Sequence, residues 1–272
     1  MESIGTHKCF GRTQGFYSHL SKSNNCTMKF AVFVPDSAKD GPLPVVTYLA
    51  GLTCTEETFI IKGGAQRMAA ELGLILVAPD TSPRGEDIAD DPDAHWDFGL
   101  GAGFYVNATK APFADNYQMY DYVTQDLQDV IAANFPADMS KQGIFGHSMG
   151  GHGALTIGLK NPDIYASISA FAPICAPMDC PWGRKAFAGY LGDDQSTWEA
   201  HDASRLMAAS DPAGRAKILV DQGLSDQFLE KELHPHLLGA ASEASGYPLN
   251  LRRHEGYDHS YYFMSTFMED HL

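Results

Sequence analysis

The chain has 272 residues, with 19 Lys and Arg against 34 Asp and Glu, a formal net charge of −15. That balance argues against nucleic acid or an anionic membrane surface as partner, since both recruit basic protein surface. The length suffices to bury one large core, and neither a linker-like tract nor an internal repeat divides it, so residues 1–272 are read as a single domain.

In chain order, residues 30–34 and 45–50 read as short apolar strands, and Gly51-Leu52-Thr53-Cys54 follows the second directly. A helix is predicted near residues 62–72, a strand over 74–78 and a helix near 117–134. Between these last two, residues 80–116 form a long irregular segment holding Trp96, Phe98, Phe104 and Tyr105 among glycines. The apolar pair Ile144-Phe145 then runs into Gly146-His147-Ser148-Met149-Gly150 and a helix-compatible run to Lys160. A second irregular segment, residues 172–194, carries Trp182 beside Arg184 and Lys185. Residues 216–220 make a buried strand leading into Asp221-Gln222-Gly223-Leu224-Ser225-Asp226, residues 248–253 the last strand, and 261–268 a C-terminal helix after the turn Gly256-Tyr257-Asp258-His259-Ser260. Alternation of strand and helix predicts an α/β fold with a mostly parallel central sheet covered by helices on both faces.

Gly146 to Gly150 matches the nucleophile elbow of an α/β-hydrolase, in which a serine on a sharp strand-to-helix turn projects its hydroxyl from the sheet. That architecture places an acid and then a histidine later in the chain. Asp226 lies several residues past its strand and is the expected acid, with Asp221, close to the strand end, as the alternative. His259 occupies the expected slot for the base, with His254 as the alternative; His147 and His152 stand in the wrong chain order and are read as packing residues of the elbow. The backbone amides of Leu52 and Met149 are the expected oxyanion donors, Gly51 giving the backbone freedom to turn one of them toward the serine. The two irregular segments follow strands and are expected to wall a pocket, with Trp96, Phe98, Trp182, Arg184 and Lys185 as candidate substrate-binding residues and Lys62 and Arg84 as further cations for a substrate carboxylate.

Leu49-Ala50-Gly51-Leu52-Thr53-Cys54-Thr55, Trp96-Asp97-Phe98-Gly99 with Gly101-Ala102-Gly103-Phe104-Tyr105, Phe145 to Leu155, Pro181-Trp182-Gly183 and Tyr257 to Phe263 together resemble the S-formylglutathione hydrolase (esterase D) family over nearly the whole chain. The resemblance implies a serine thioesterase of formaldehyde detoxification that needs neither cofactor nor metal, releases formate and glutathione, has Ser148, Asp226 and His259 as its triad, and assembles as a homodimer. Leu100 and Ala50 depart from the family pattern at positions that bear on substrate preference. An acyltransferase using the same triad, or a non-catalytic protein of the same fold, are the other functional classes compatible with the elbow.

The five cysteines, Cys9, Cys26, Cys54, Cys175 and Cys180, have neither zinc spacing nor a compact disulfide pattern, and no secretory segment opens the chain; the expectation is a cytoplasmic protein with reduced thiols. Cys54, two residues after Leu52, is a candidate regulatory thiol, its modification being expected to block the site.

Overall fold

The computed structural model describes residues 1–272. Nine strands form one sheet: β1 (Glu2–Cys9), β2 (Arg12–Ser21), β3 (Cys26–Val34), β4 (Leu43–Leu49), β5 (Ile75–Pro79), β6 (Ala137–His147), β7 (Tyr165–Phe171), β8 (Ile218–Gly223) and β9 (Leu249–His254), in the spatial order β1-β2-β3-β5-β4-β6-β7-β8-β9. β1, β2, β3 and β5 pair antiparallel in turn, and every pairing from β5 through β9 is parallel. The parallel strands need crossovers, and helices provide them: α1 (Glu56–Lys62) and α2 (Gln66–Leu72) before β5; α3 (Met119–Asp121) continuing through a π turn into α4 (Leu127–Asn134) before β6; α5 (Met149–Lys160) before β7; α6 (Pro181–Tyr190) and α7 (Ala203–Ala209) before β8; α8 (Pro235–Ser245) before β9; and α9 (Tyr261–Phe267) at the end.

The period-2 alternation of a strand explains how both faces are covered. Phe30, Val32, Val45, Ile75 and Val77 pack with Leu127 and Ile131 of α4 on one face, while their neighbours Ala31, Phe33, Val46, Leu76 and Ala78 belong to the larger core on the other. Strands buried on both sides read as unbroken apolar runs, which is why β5 was legible as Ile-Leu-Val-Ala.

Several expectations are corrected. The helix predicted over residues 62–72 is two helices, because Gly63 ends α1 and Gly64 turns the chain with φ +70° before α2 begins at Gln66. Residues 172–194 are not irregular throughout, since Pro181 starts α6, with the Cys180 sulfur accepting the Gly183 N–H. The N-terminal hairpin of β1 and β2 and the strand β7 lie in stretches for which no element was predicted.

Topology locates the site. The chain leaves β4 toward β5 on one side, whereas from β6 it proceeds to β7, β8 and β9 on the other. The carboxyl ends of adjacent β4 and β6 therefore open into a crevice at a switch point, where α/β sheets bind ligands.

Candidate active site

The crevice is built from the ends of four strands. At the end of β6, Ser148 sits at φ 58°, ψ −119°, a conformation non-glycine residues avoid, and its hydroxyl does not cap α5. The turn is held by its backbone: Ser148 N–H donates to the Phe171 carbonyl at 3.0 Å, and the Ser148 carbonyl accepts from His152 at 3.0 Å and Ile174 at 3.2 Å. The flanking glycines are a steric necessity. A Cβ on Gly146 would overlap the Gly150 carbonyl, and one on Gly150 would overlap the carbonyls of Leu49 and Ala50 at the end of β4.

The loop after β4 faces the elbow. A Cβ on Gly51 would lie 3.2 Å from the Ser148 Cβ, so the two segments are in close approach. Thr53 N–H donates to Gly101 O at 2.8 Å and Cys54 N–H to Gly51 O at 3.3 Å, while the preceding Leu52 amide has no main-chain acceptor. Met149 opens α5, where an N–H has no intrahelical partner. Residues after β5 brace this loop: Tyr105 donates its hydroxyl to the Ala50 carbonyl at 2.9 Å, and Thr81 Oγ1 to the Cys54 carbonyl at 2.6 Å.

The two candidate acids separate cleanly, Asp221 lying within β8 and Asp226 in the loop after it. Asp226 Oδ2 is 2.5 Å from His259 Nδ1, and its Oδ1 accepts the Phe228 N–H at 2.8 Å. Asp221, wholly buried, accepts from Arg252 Nε at 2.6 Å and lies 3.0 Å from both His254 Nε2 and His271 Nε2. Those hydrogen bonds outweigh its burial and hold the Asp221 carboxyl far below the ordinary range. His254 is thus engaged away from the serine, and its ring stacks on Phe267 with centroids 4.0 Å apart. The loops carrying Asp226 and His259 are zipped together, Leu224 N–H to His254 O and Ser225 N–H to Tyr257 O, both at 2.9 Å, and a Cβ on Gly223 would collide with the Tyr257 carbonyl.

Ser148 and His259 line one cavity of about 220 Å³, together with Gly51, Leu52, Cys54, His147, Tyr261 and an aromatic wall of Trp96, Trp182 and Phe228. Trp96 meets Trp182 edge-on at 5.5 Å, Trp182 meets Phe228 at 4.8 Å, and Phe228 meets the His259 ring at 5.0 Å. Buried Glu232 accepts the Trp182 N–H at 3.0 Å and so helps fix the wall. Sequence reasoning missed Phe228 and Tyr261 as lining residues, although each neighbours a loop already singled out. His147 packs its ring 4.4 Å from that of His259, and burial holds it neutral. His152 is turned away, 3.0 Å from the Phe104 carbonyl, with burial taking its pKa down to about 3. Burial also raises the Cys54 thiol above its ordinary value.

Three of the residues expected to bind substrate lie outside the lining. Phe98 is buried against Phe113 and Tyr190. Arg184 donates to the Met178 carbonyl, and Lys185 pairs with Asp91 at 3.1 Å and Asp97 at 2.5 Å. Arg84 is likewise consumed, by both oxygens of Asp80 and the Cys54 carbonyl. In each case a carboxylate or carbonyl has taken the cation.

The esterase family profile matches residues 21–272. A mouse (Mus musculus) S-formylglutathione hydrolase is 52% identical over all of this chain and 96% of its own length, and one from Paracoccus denitrificans is 49% identical over all of this chain and 95% of its own. The chain belongs to the S-formylglutathione hydrolase family. A solved S-formylglutathione hydrolase structure from Agrobacterium tumefaciens, 51% identical, superposes with a TM-score of 0.96 over all of this chain and 97% of that one. Family membership accounts for the sheet order and for the strand-end loops that form the cavity. No helix in the chain is long and apolar enough to cross a membrane.

Proposed function

We propose that this chain hydrolyses S-formylglutathione to formate and glutathione, with side activity on short-chain carboxylic esters. The observation that carries the reading is the small aromatic-walled cavity whose lining combines a serine on a strained elbow with an imidazole held by a buried carboxylate. About 220 Å³ accommodates a formyl or acetyl group and the sulfur, and longer acyl chains would overpack it.

In the proposed mechanism His259 Nε2 removes the Ser148 proton as the oxygen attacks the thioester carbonyl, while Asp226 holds the tautomer with Nδ1 protonated and stabilises the imidazolium. The Leu52 and Met149 amides receive the oxyanion. Glutathione thiolate is a good leaving group and takes the imidazolium proton as it departs, which returns His259 to its neutral form; water activated by His259 then attacks the formyl-serine, and the imidazolium gives its proton back to Ser148 as formate is released. Trp96 and Trp182 would flank the acyl and thiol portions, and modification of Cys54, which lines the same cavity, would obstruct it.

The continuous sheet supports treating residues 1–272 as one domain, and five unpaired cysteines suit the reducing cytoplasm. Ile4 and Ile61, both more than half exposed, line a groove between β1 and α1 that supplies apolar surface suited to a homodimer contact. The deciding experiment follows loss of thioester absorbance with S-formylglutathione, beside p-nitrophenyl acetate, for wild type and Ser148→Ala. Rapid thioester turnover abolished in the variant is expected. Turnover of the ester alone would refute the substrate assignment.

A further inference from the structure

A tripeptide thioester cannot be enclosed by a cavity sized for its acyl end, so the peptide must extend across the surface, and the surface is predominantly acidic. Of the four cations considered for that role, three are taken up by acidic or carbonyl groups. Lys62, at the end of α1, is exposed and forms no ion pair; its ammonium lies 6.0 Å from the centre of the Tyr261 ring. Tyr261 is the wall shared between the catalytic cavity and a second groove of about 550 Å³ lined by Lys62, Ser260, Tyr261, Tyr262 and Ser265. Tyr262, 86% exposed, presents an aromatic face with nothing packed over it.

We propose that this groove between α1 and α9 receives the peptide part of glutathione, the Lys62 ammonium meeting one of its carboxylates and Tyr262 covering its backbone. The assignment rests on the substrate reading above. A single lysine facing the substrate reverses the local sign of a field that would otherwise repel a peptide whose two carboxylates outnumber its one ammonium.

The test is steady-state kinetics on S-formylglutathione and on uncharged p-nitrophenyl acetate. Lys62→Ala should raise KM for the thioester about two- to fivefold and Lys62→Glu about tenfold, with kcat within about twofold and ester turnover unchanged. Lys62→Arg should restore the wild-type KM, and Tyr262→Ala should raise it without touching the ester. Added salt should raise KM for wild type more than for Lys62→Ala. If wild type hydrolyses both substrates and Lys62→Glu leaves the thioester KM unchanged, or weakens both substrates alike, the groove assignment is wrong. If wild type hydrolyses the ester and not S-formylglutathione, the substrate reading itself has failed.

Discussion

Replacing Asp221 of β8 and Asp226 of the loop after it, each with asparagine, should separate stability from chemistry. In Asp221→Asn, one oxygen can still accept from Arg252 Nε and His254, but the new amide confronts the Arg252 Nη and His271 Nε2, donors lying at 2.5 and 3.0 Å from the carboxylate. Asp221 is fully buried and the Arg252 side chain is only 30% exposed, so the broken pair is poorly screened. Losing one partner of such a pair costs about 3 to 5 kcal/mol, which for a chain of this size lowers Tm by roughly 10 °C. Turnover per folded molecule should change little. In Asp226→Asn the Phe228 N–H keeps an acceptor, so about 1 kcal/mol is lost. The amide now donates to His259 Nδ1, moves the ring proton to Nε2 and removes the acceptor the serine needs; kcat should fall about 10⁴-fold. Differential scanning fluorimetry and thioester kinetics on both variants decide the matter. An Asp221→Asn protein of unchanged Tm and lost turnover, with the converse for Asp226→Asn, would refute the assignment of roles.

Acid should destabilise the fold from about pH 6.5 downward. Burial lowers the folded pKa of His147 well below the ordinary imidazole value and that of His152 to about 3, so the unfolded chain binds protons that the native state does not. Their stabilising contribution is present above the unfolded pKa and declines by about 1.4 kcal/mol per pH unit per histidine as pH falls toward the folded value. Asp221, whose folded pKa is depressed, adds a further loss only below about pH 4; a Tm flat between pH 7 and 5 would contradict this. Trp182→Ala opens the aromatic wall, so activity should move from acetyl toward butanoyl and hexanoyl p-nitrophenyl esters; an unchanged profile would show that another side chain limits acyl length. Because burial raises the Cys54 thiol, inactivation by iodoacetamide should be slow at pH 7 and faster at pH 9, and Cys54→Ser should resist it while keeping turnover. Equal inactivation of both proteins would remove Cys54 from consideration.

What the sequence determined by itself is local. The elbow was legible because glycine at positions 146 and 150 answers a clash among residues four apart and the adjoining end of β4, and because a buried strand must read as an apolar run. The turn holding His259 and the chain order of the site residues could be read for the same reason. Tertiary structure decided what depends on side chains far apart in the chain. Asp226 to His259 and Asp221 to His254 are both separated by 33 residues, so spacing could not discriminate between the two pairs; the docking of the loops beyond β8 and β9 did. The fates of Phe98, Arg184 and Lys185 were equally beyond reach, because an aromatic ring goes to the nearest core and a cation to the nearest carboxylate, and which of these lies nearest is settled only when the strand-end loops have packed.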